Sequence, residues 1–296
     1  MDSINNTMND IITTIENENI QVHNMCGQEL LKSMEDNSID LGLTDPPYNT
    51  SKETGMSEYL KYIKENEKKG IKYVKTEEQW SQYKQKKNIV NDEKKETYLK
   101  YGTIYGATYG KDTIYGEWDK CFTLEALELF IQLYYAKLKE GGTLIMFYDW
   151  KKISYLYELL EKHKFKGIRI IEWVKSNPQQ VNSKTNYLSN AKEYALLAVK
   201  GKKASPKTFH SSNDKGIYIY PTQPKKKRGV GHPTRKNIKM FMELIEKHSN
   251  PGELVVDTFL GSGTTAIACK KTNRRFIGSE LHEPYYEGAL ELINEN

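Results

Sequence analysis

The sequence is poor in cysteine and in long apolar runs. Cys26, Cys121 and Cys269 are its three cysteines, and no two share a C-x-x-C spacing. That argues against a disulfide framework and points to a reduced, cytoplasmic setting. No apolar run approaches the ~18 residues that a membrane span needs. The first residues, Met1-Asp2-Ser3-Ile4-Asn5-Asn6, are polar and acidic, unlike a secretory signal. A surplus of one charge is lacking too: 44 basic residues stand against 39 acidic ones, a formal net charge of +5. So mild an excess does not establish a nucleic-acid partner. Tyrosine is abundant, with 21 residues whose rings can stack on unpaired bases. Composition alone explains them equally well as a Tyr- and Lys-rich background. The 296 residues, 38% of them hydrophobic, suffice for one large core, or one core with an appendage.

Residues 1–18 are expected to be a flexible N-terminus. Apolar strand-like segments then alternate with amphipathic ones. The patterns predict strands at 20–25, 39–43, 143–148, 167–174, 193–199, 253–257 and 275–280. They predict helices at 29–34, 124–138, 151–162, 237–248, 264–271 and 285–293, with Gly141-Gly142 ending the second of these. This alternation is the mark of an α/β fold, with helices flanking a mostly parallel sheet. Residues 50–117 interrupt it with a stretch rich in Lys, Glu, Tyr and Gly. It reads as an insertion between the catalytic-domain segments 19–49 and 118–296, helical at 57–64 and 77–86 and looped beyond. Residues 200–231 read as a loop carrying the basic run Lys225-Lys226-Lys227-Arg228. Such a run is as often a solvated face as a contact.

Two segments carry chemistry. Near the C-terminus, Leu254–Asp257 is a buried strand followed by Phe259-Leu260-Gly261-Ser262-Gly263-Thr264, a glycine turn entering a helix. Glycines let backbone approach a ligand, and a helix N-terminus offers N–H groups. Gly261, Gly263 and Ala266 also fit the dinucleotide pattern G-x-G-x-x-A, with Glu280 as ribose acid, so a nicotinamide oxidoreductase is a rival. Only residues 264–296 follow the second glycine, which is room for one nucleoside and not two. S-adenosylmethionine, a nucleoside without pyrophosphate, suits a loop lacking a phosphate-binding Lys or Arg.

The other segment, Asp45-Pro46-Pro47-Tyr48, directly follows the strand at 39–43. Two prolines make it rigid, which suits a loop that orients a substrate. The amine of adenine or cytosine is a poor nucleophile, because its lone pair is delocalised into the ring. The Asp45 carboxylate and the Pro46 carbonyl can accept its two N–H groups and localise that lone pair. Tyr48 can stack on the base, which must be flipped out of a duplex to reach the loop. The chemistry needs no metal, and the sequence has no metal-ligand cluster.

Together the segments resemble the DNA amino-methyltransferases, the adenine-N6 and cytosine-N4 enzymes. The resemblance is carried by 38–49, by Gly141-Gly142-Thr143-Leu144-Ile145-Met146-Phe147, by His232-Pro233-Thr234-Arg235-Lys236, and by 257–265. Asp45 precedes Asp257 by 212 residues, an order similar to the family's circularly permuted β group. That likeness implies a Rossmann-like seven-stranded sheet with one antiparallel strand, and S-adenosylmethionine as cofactor. It implies Asp257, Phe259, Gly261, Ser262, Gly263 and Thr264 around the cofactor, Glu280 on its ribose and Thr234 on its methionine side. It implies site-specific DNA as substrate, with adenine favoured by Asp45 where cytosine enzymes carry Ser. A homodimer and a cognate restriction endonuclease are further partners it allows, in a prokaryotic or phage-encoded cytoplasmic setting. Two features depart from the family. Cys26 stands where relatives place an acid near the cofactor's adenine. The target-recognition slot at 200–231 is short, so the 50–117 insertion is expected to share sequence reading, with Lys225–Arg228 on phosphates.

Overall fold

Apolar residues that run without a break form strands buried on both faces. The computed structural model describes residues 13–14, 19–48, 62–63, 65–104, 122–178, 189–201, 214–223 and 235–296. In chain order the elements are β1 (Thr13–Thr14), β2 (Ile20–His23), α1 (Gly27–Ser33), β3 (Ile39–Thr44), α2 (Glu77–Lys87), α3 (Lys95–Tyr101), α4 (Leu124–Lys137) and β4 (Leu138–Tyr148). There follow α5 (Ile153–Lys162), β5 (Lys166–Lys175), β6 (Lys192–Val199), β7 (Ile217–Tyr220), α6 (Ile238–His248), β8 (Leu254–Asp257), α7 (Thr264–Lys271), β9 (Arg275–Ser279) and α8 (Glu283–Glu295). Two units divide these elements: Met1–Tyr48 with Phe122–Asn296, and Asn49–Cys121.

Among the described residues the larger unit holds one open sheet in the order β1-β2-β9-β8-β3-β4-β6-β5-β7. The seven strands from β2 to β5 in that order are the expected body. Strands β2, β9, β8, β3 and β4 are mutually parallel, and β6 alone runs against its neighbours β4 and β5. The sheet is larger than seven strands, because β1 adds antiparallel to β2 and β7 adds parallel to β5. Strand β7 corrects the expectation of a loop throughout 200–231. Its four residues sit between polar, Gly- and Lys-rich flanks that read as loop; Tyr218 is buried, and Trp173 on β5 donates its indole N–H to the Tyr220 carbonyl at 2.9 Å. Strand β4 starts at Leu138 rather than Thr143. Its register against β3 slips between Ile39 and Leu41, which absorbs the two glycines.

Alternation along β4 divides the core. Ile145 and Phe147 face one side with Leu41, Leu43, Phe241, Leu244 and Ile267. Leu144, Met146 and Tyr148 face the other with Leu127, Ile131, Leu156 and Leu160. Helices therefore cover both faces, which is why the central strands are buried and mostly apolar, with Asp40 and Thr44 of β3 bonded respectively to Lys139 and Asp257. Caps fix two helix starts: Thr123 accepts from Ala126 N–H at 3.2 Å, and Asn237 from Met240 N–H at 3.1 Å, each worth about 1 kcal/mol.

In the smaller unit α2 begins at a capping box of Thr76 and Gln79. Helix α3 lies where a loop was expected; its sequence, Lys95–Tyr101, is as Lys- and Tyr-rich as the stretch around it. It buries Tyr98 and Leu99 against Trp80 of α2. Of the expected helix at 57–64, only 62–63 are described, and both are helical.

Candidate active site

Parallel strands deliver their carboxyl ends to one edge of the sheet, and open α/β sheets bind ligands there. Strands β3 and β8 are neighbours, so Asp45, just past β3, and Asp257, the last residue of β8, arrive side by side. The two segments that stand far apart in the chain are bonded directly. The Thr44 hydroxyl donates to Asp257 Oδ1 at 2.8 Å. Thr265 donates to Asp257 Oδ2 at 2.6 Å, and the Phe259 N–H to Oδ1 at 3.0 Å. Burial pushes the Asp257 carboxyl up to about 6, against the pull of these three donors.

The glycine loop is built of close approaches. Gly261 and Gly263 have φ of +55° and +76°, where a side chain is strained. A Cβ on Gly263 would also lie 3.1 Å from Ile293 of α8. Ser262 and Thr264 are buried and bond each other at 3.1 Å. The half-buried Phe259 ring packs on Phe122 and Phe130, with centroids 5.5 and 4.7 Å away. Glu280 follows β9 and takes the Gly261 N–H on Oε2 and the His282 N–H on Oε1, both at 2.9 Å. Each oxygen keeps a second lone pair for a ligand hydroxyl. Burial raises the Glu280 carboxyl above its ordinary range.

Cys26 is the half-buried N-cap of α1 and makes no side-chain cap bond. It flanks the same loop, because a Cβ on the next residue, Gly27, would lie 2.6 Å from Thr258. The nearby Asn24, unmarked in the sequence, donates to the Glu280 carbonyl at 2.8 Å. Thr234 and Lys225, Lys226, Lys227 and Arg228 lie outside the described residues.

Around Asp45 the structure adds residues to which the sequence had assigned no role. Lys236 Nζ lies 2.7 Å from Asp45 Oδ2 and 2.6 Å from Glu193 Oε2. Lys175 Nζ reaches Glu193 Oε1 at 2.8 Å. Tyr48 donates its hydroxyl to Asp45 Oδ1 at 2.5 Å. Lys152 donates to the Tyr48 carbonyl at 3.0 Å, and the Tyr48 ring meets Tyr148 edge-on, with centroids 5.7 Å apart. Pro46 is buried beneath the loop. The topology explains Glu193: β6 is antiparallel, so its first residues lie at the edge where its neighbours end. Burial opposes charge on Glu193, yet Lys236 and Lys175 outweigh it and hold the carboxyl down to about 2. Burial likewise opposes the Lys236 ammonium, and Asp45 with Glu193 holds it above the usual lysine range. Burial, then the charges of Asp45 and Glu193, raise the Tyr48 phenol well above its ordinary range, so it stays a donor. Lys236 falls within the 232–236 segment, but nothing in a Lys-rich sequence marks one lysine as buried.

A family model described as DNA methylase, of the N6/N4 methyltransferases, matches residues 39–291. The type II methyltransferase M.HpaI of Haemophilus parainfluenzae is 25% identical over 283 residues, covering 89% of this chain and 71% of the relative. M2.DpnII of Streptococcus pneumoniae is 30% identical over 197 residues, covering 61% and 73%. Among solved structures, the complex of M1.HpyAVI with S-adenosylmethionine has a TM-score of 0.59 at 25% identity, covering 93% of this chain and 99% of that one. The cytosine-N4-specific PvuII methyltransferase shares the fold at a TM-score of 0.59 and 16% identity, covering 94% and 91%. These matches displace the nicotinamide oxidoreductase suggested by G-x-G-x-x-A. A catalytic-edge carboxylate joined to a glycine loop, on a sheet of this order, is accounted for by descent: the chain belongs to the N6/N4 DNA methylase family.

Proposed function

We propose that this protein transfers a methyl group from S-adenosylmethionine to the N6 amine of a flipped-out adenine in a specific DNA sequence. The observation that carries the reading is the Thr44–Asp257 hydrogen bond at 2.8 Å, which ties the Asp45 loop to the glycine loop at one sheet edge. The residues at that edge fit the cofactor. Glu280 has lone pairs for ribose hydroxyls, and the 261–263 turn is backbone with little side chain in the way. Phe259, Gly261, Ser262, Gly263 and Thr264 would line it, with Cys26 and Thr234 beside them. Asp257, which already accepts three hydrogen bonds, would stand beside the cofactor and also hold the loop's shape. When bound, the cofactor supplies an electrophilic methyl whose bond to sulfur breaks, with the electron pair going to sulfur, as the amine nitrogen forms its new bond to carbon.

The chain's own residues prepare the amine. Asp45 and the Pro46 carbonyl accept its N–H groups, which localises the lone pair on nitrogen. The Tyr48 ring stacks on the base. After transfer one amine proton leaves to solvent, and the product is a neutral secondary amine. Asp45 supports adenine over cytosine. Sequence reading belongs, in this proposal, to residues 50–117 together with 200–231.

The experiment is methylation of a plasmid by the purified protein, followed by nucleoside mass spectrometry and single-molecule sequencing. N6-methyladenine at one repeated motif is expected. N4-methylcytosine would replace the base assignment, and no modified base would end the reading.

A further inference from the structure

Both oxygens of the Asp45 carboxylate have partners, and the partners are unlike. Lys236, on Oδ2, is buried, lies 5.0 Å from the Phe147 ring centroid and is gripped from behind by Glu193, itself held by Lys175. It also directly precedes Asn237, the cap of α6. Withdrawing it would leave one oxygen of the Glu193 carboxylate, Oε2, without its partner in a partly desolvated place. Tyr48, on Oδ1, is half-buried and neutral, so a shift of its ring off Oδ1 breaks one neutral donor's bond and leaves the Lys236 ion pair on Oδ2 intact. A phenol O–H and an amine N–H are the same kind of donor to a carboxylate oxygen.

We propose that the two oxygens of Asp45 have separate work: Lys236 is a positioning residue that holds Oδ2 throughout, and Oδ1 passes from the Tyr48 hydroxyl to the target amine. This rests on the amine-methylation reading above. One fixed oxygen sets the carboxylate's rotation, so the exchangeable oxygen faces a single direction. One hydrogen bond is traded for another as the base enters, so the loop binds substrate without a naked buried acceptor beforehand. The released Tyr48 ring becomes available to stack on that base.

The test compares Glu193→Gln with the double variant Glu193→Gln/Lys236→Met. The double variant removes one positive and one negative charge together, so the net charge of the cluster is kept, while Lys175 and Asp45 each lose an ion-pair partner. Thermal melting and the dissociation constant for S-adenosylmethionine establish that both are folded. The double variant is expected to lose about 10²-fold in kcat relative to Glu193→Gln, the loss that follows when a reacting group drifts by about 1 Å. Its KM for DNA and its cofactor affinity should hold within about twofold, and Lys236→Arg in the same background should restore most of kcat. Tyr48→Phe keeps the ring and removes the placeholder, so cofactor-free protein should bind cognate DNA several-fold more tightly. A kcat for the double variant equal to that of Glu193→Gln overturns the role of Lys236. Unchanged or weaker DNA binding by Tyr48→Phe overturns the exchange. A wild-type protein that methylates no base would overturn the amine-methylation reading, and this inference with it. An active wild type with either failed variant overturns this inference alone.

Discussion

Asp45 and Asp257 close two neighbouring parallel strands at the same edge, and they are satisfied in opposite ways. Asp257 is buried among neutral donors, the hydroxyls of Thr44 and Thr265 and the Phe259 N–H. Asp45 is only partly buried and faces a full ammonium on one oxygen and a phenol on the other. Three neutral donors fixed in the fold make a clamp that holds the glycine loop's shape. A salt bridge on one oxygen and a movable hydroxyl on the other leave one acceptor that substrate can take. In the proposed reaction, two residues of one type, a strand apart, thereby serve architecture and chemistry.

Substitution should separate them. The largest effect is expected from Asp45→Ala, which removes an acceptor aimed at the reacting amine and should lower kcat by about 10²–10³-fold. Cofactor affinity, measured by calorimetry, should survive; unchanged turnover would remove Asp45 from the mechanism. Gly263→Asp attacks the other half. The left-handed backbone at φ +76° disfavours a side chain by about 1–2 kcal/mol, and its Cβ would crowd Ile293. Affinity for S-adenosylmethionine should fall by at least about tenfold, and an unaltered dissociation constant would undo the glycine-loop assignment.

Asp257→Asn should act on stability and its pH dependence more than on kcat. The Asp257 carboxyl titrates near 6 in the folded chain, against an ordinary 3.8. Its contribution is therefore fully present below 3.8 and lost as pH rises through 6. Urea midpoints should show that the Asn variant lacks this decline between about pH 4 and 6; identical profiles would contradict the raised carboxyl. Glu193 has the opposite sign. Its carboxyl lies near 2 against an ordinary 4.5, so its contribution is present above 4.5 and fades as pH falls through 2. The smallest effect is expected from alanine at Lys225, Lys226, Lys227 and Arg228. Binding to all DNA sequences should weaken, and the salt slope should flatten by about 0.9 for each phosphate no longer neutralised. A loss confined to one sequence would make the run a base reader.

Much of this was legible in the residues. Asp45-Pro46-Pro47-Tyr48 and the 257–264 turn were visible because prolines and glycines constrain backbone locally, and their order in the chain selected the permuted group. The parallel core was legible because strands buried on both faces are mostly apolar. Strand β7 and helix α3 were not, because each is a short element inside a stretch whose polar, Lys-rich composition reads as loop. Lys236 and Glu193 were invisible for a different reason: each is an ordinary charged residue until the fold buries it.

The sequence by itself determined the family and the chain order of the Asp45 and Asp257 segments, because these depend on local backbone chemistry and chain position. Only the tertiary structure decided which charges meet. Strand β6 runs against its neighbours and brings Glu193 to the carboxyl edge. The segment entering α6 lays Lys236 between Glu193 and Asp45, and adjacent β3 and β8 let Thr44 reach Asp257. Strand direction and adjacency are properties of the assembled sheet, and no stretch of residues encodes them alone.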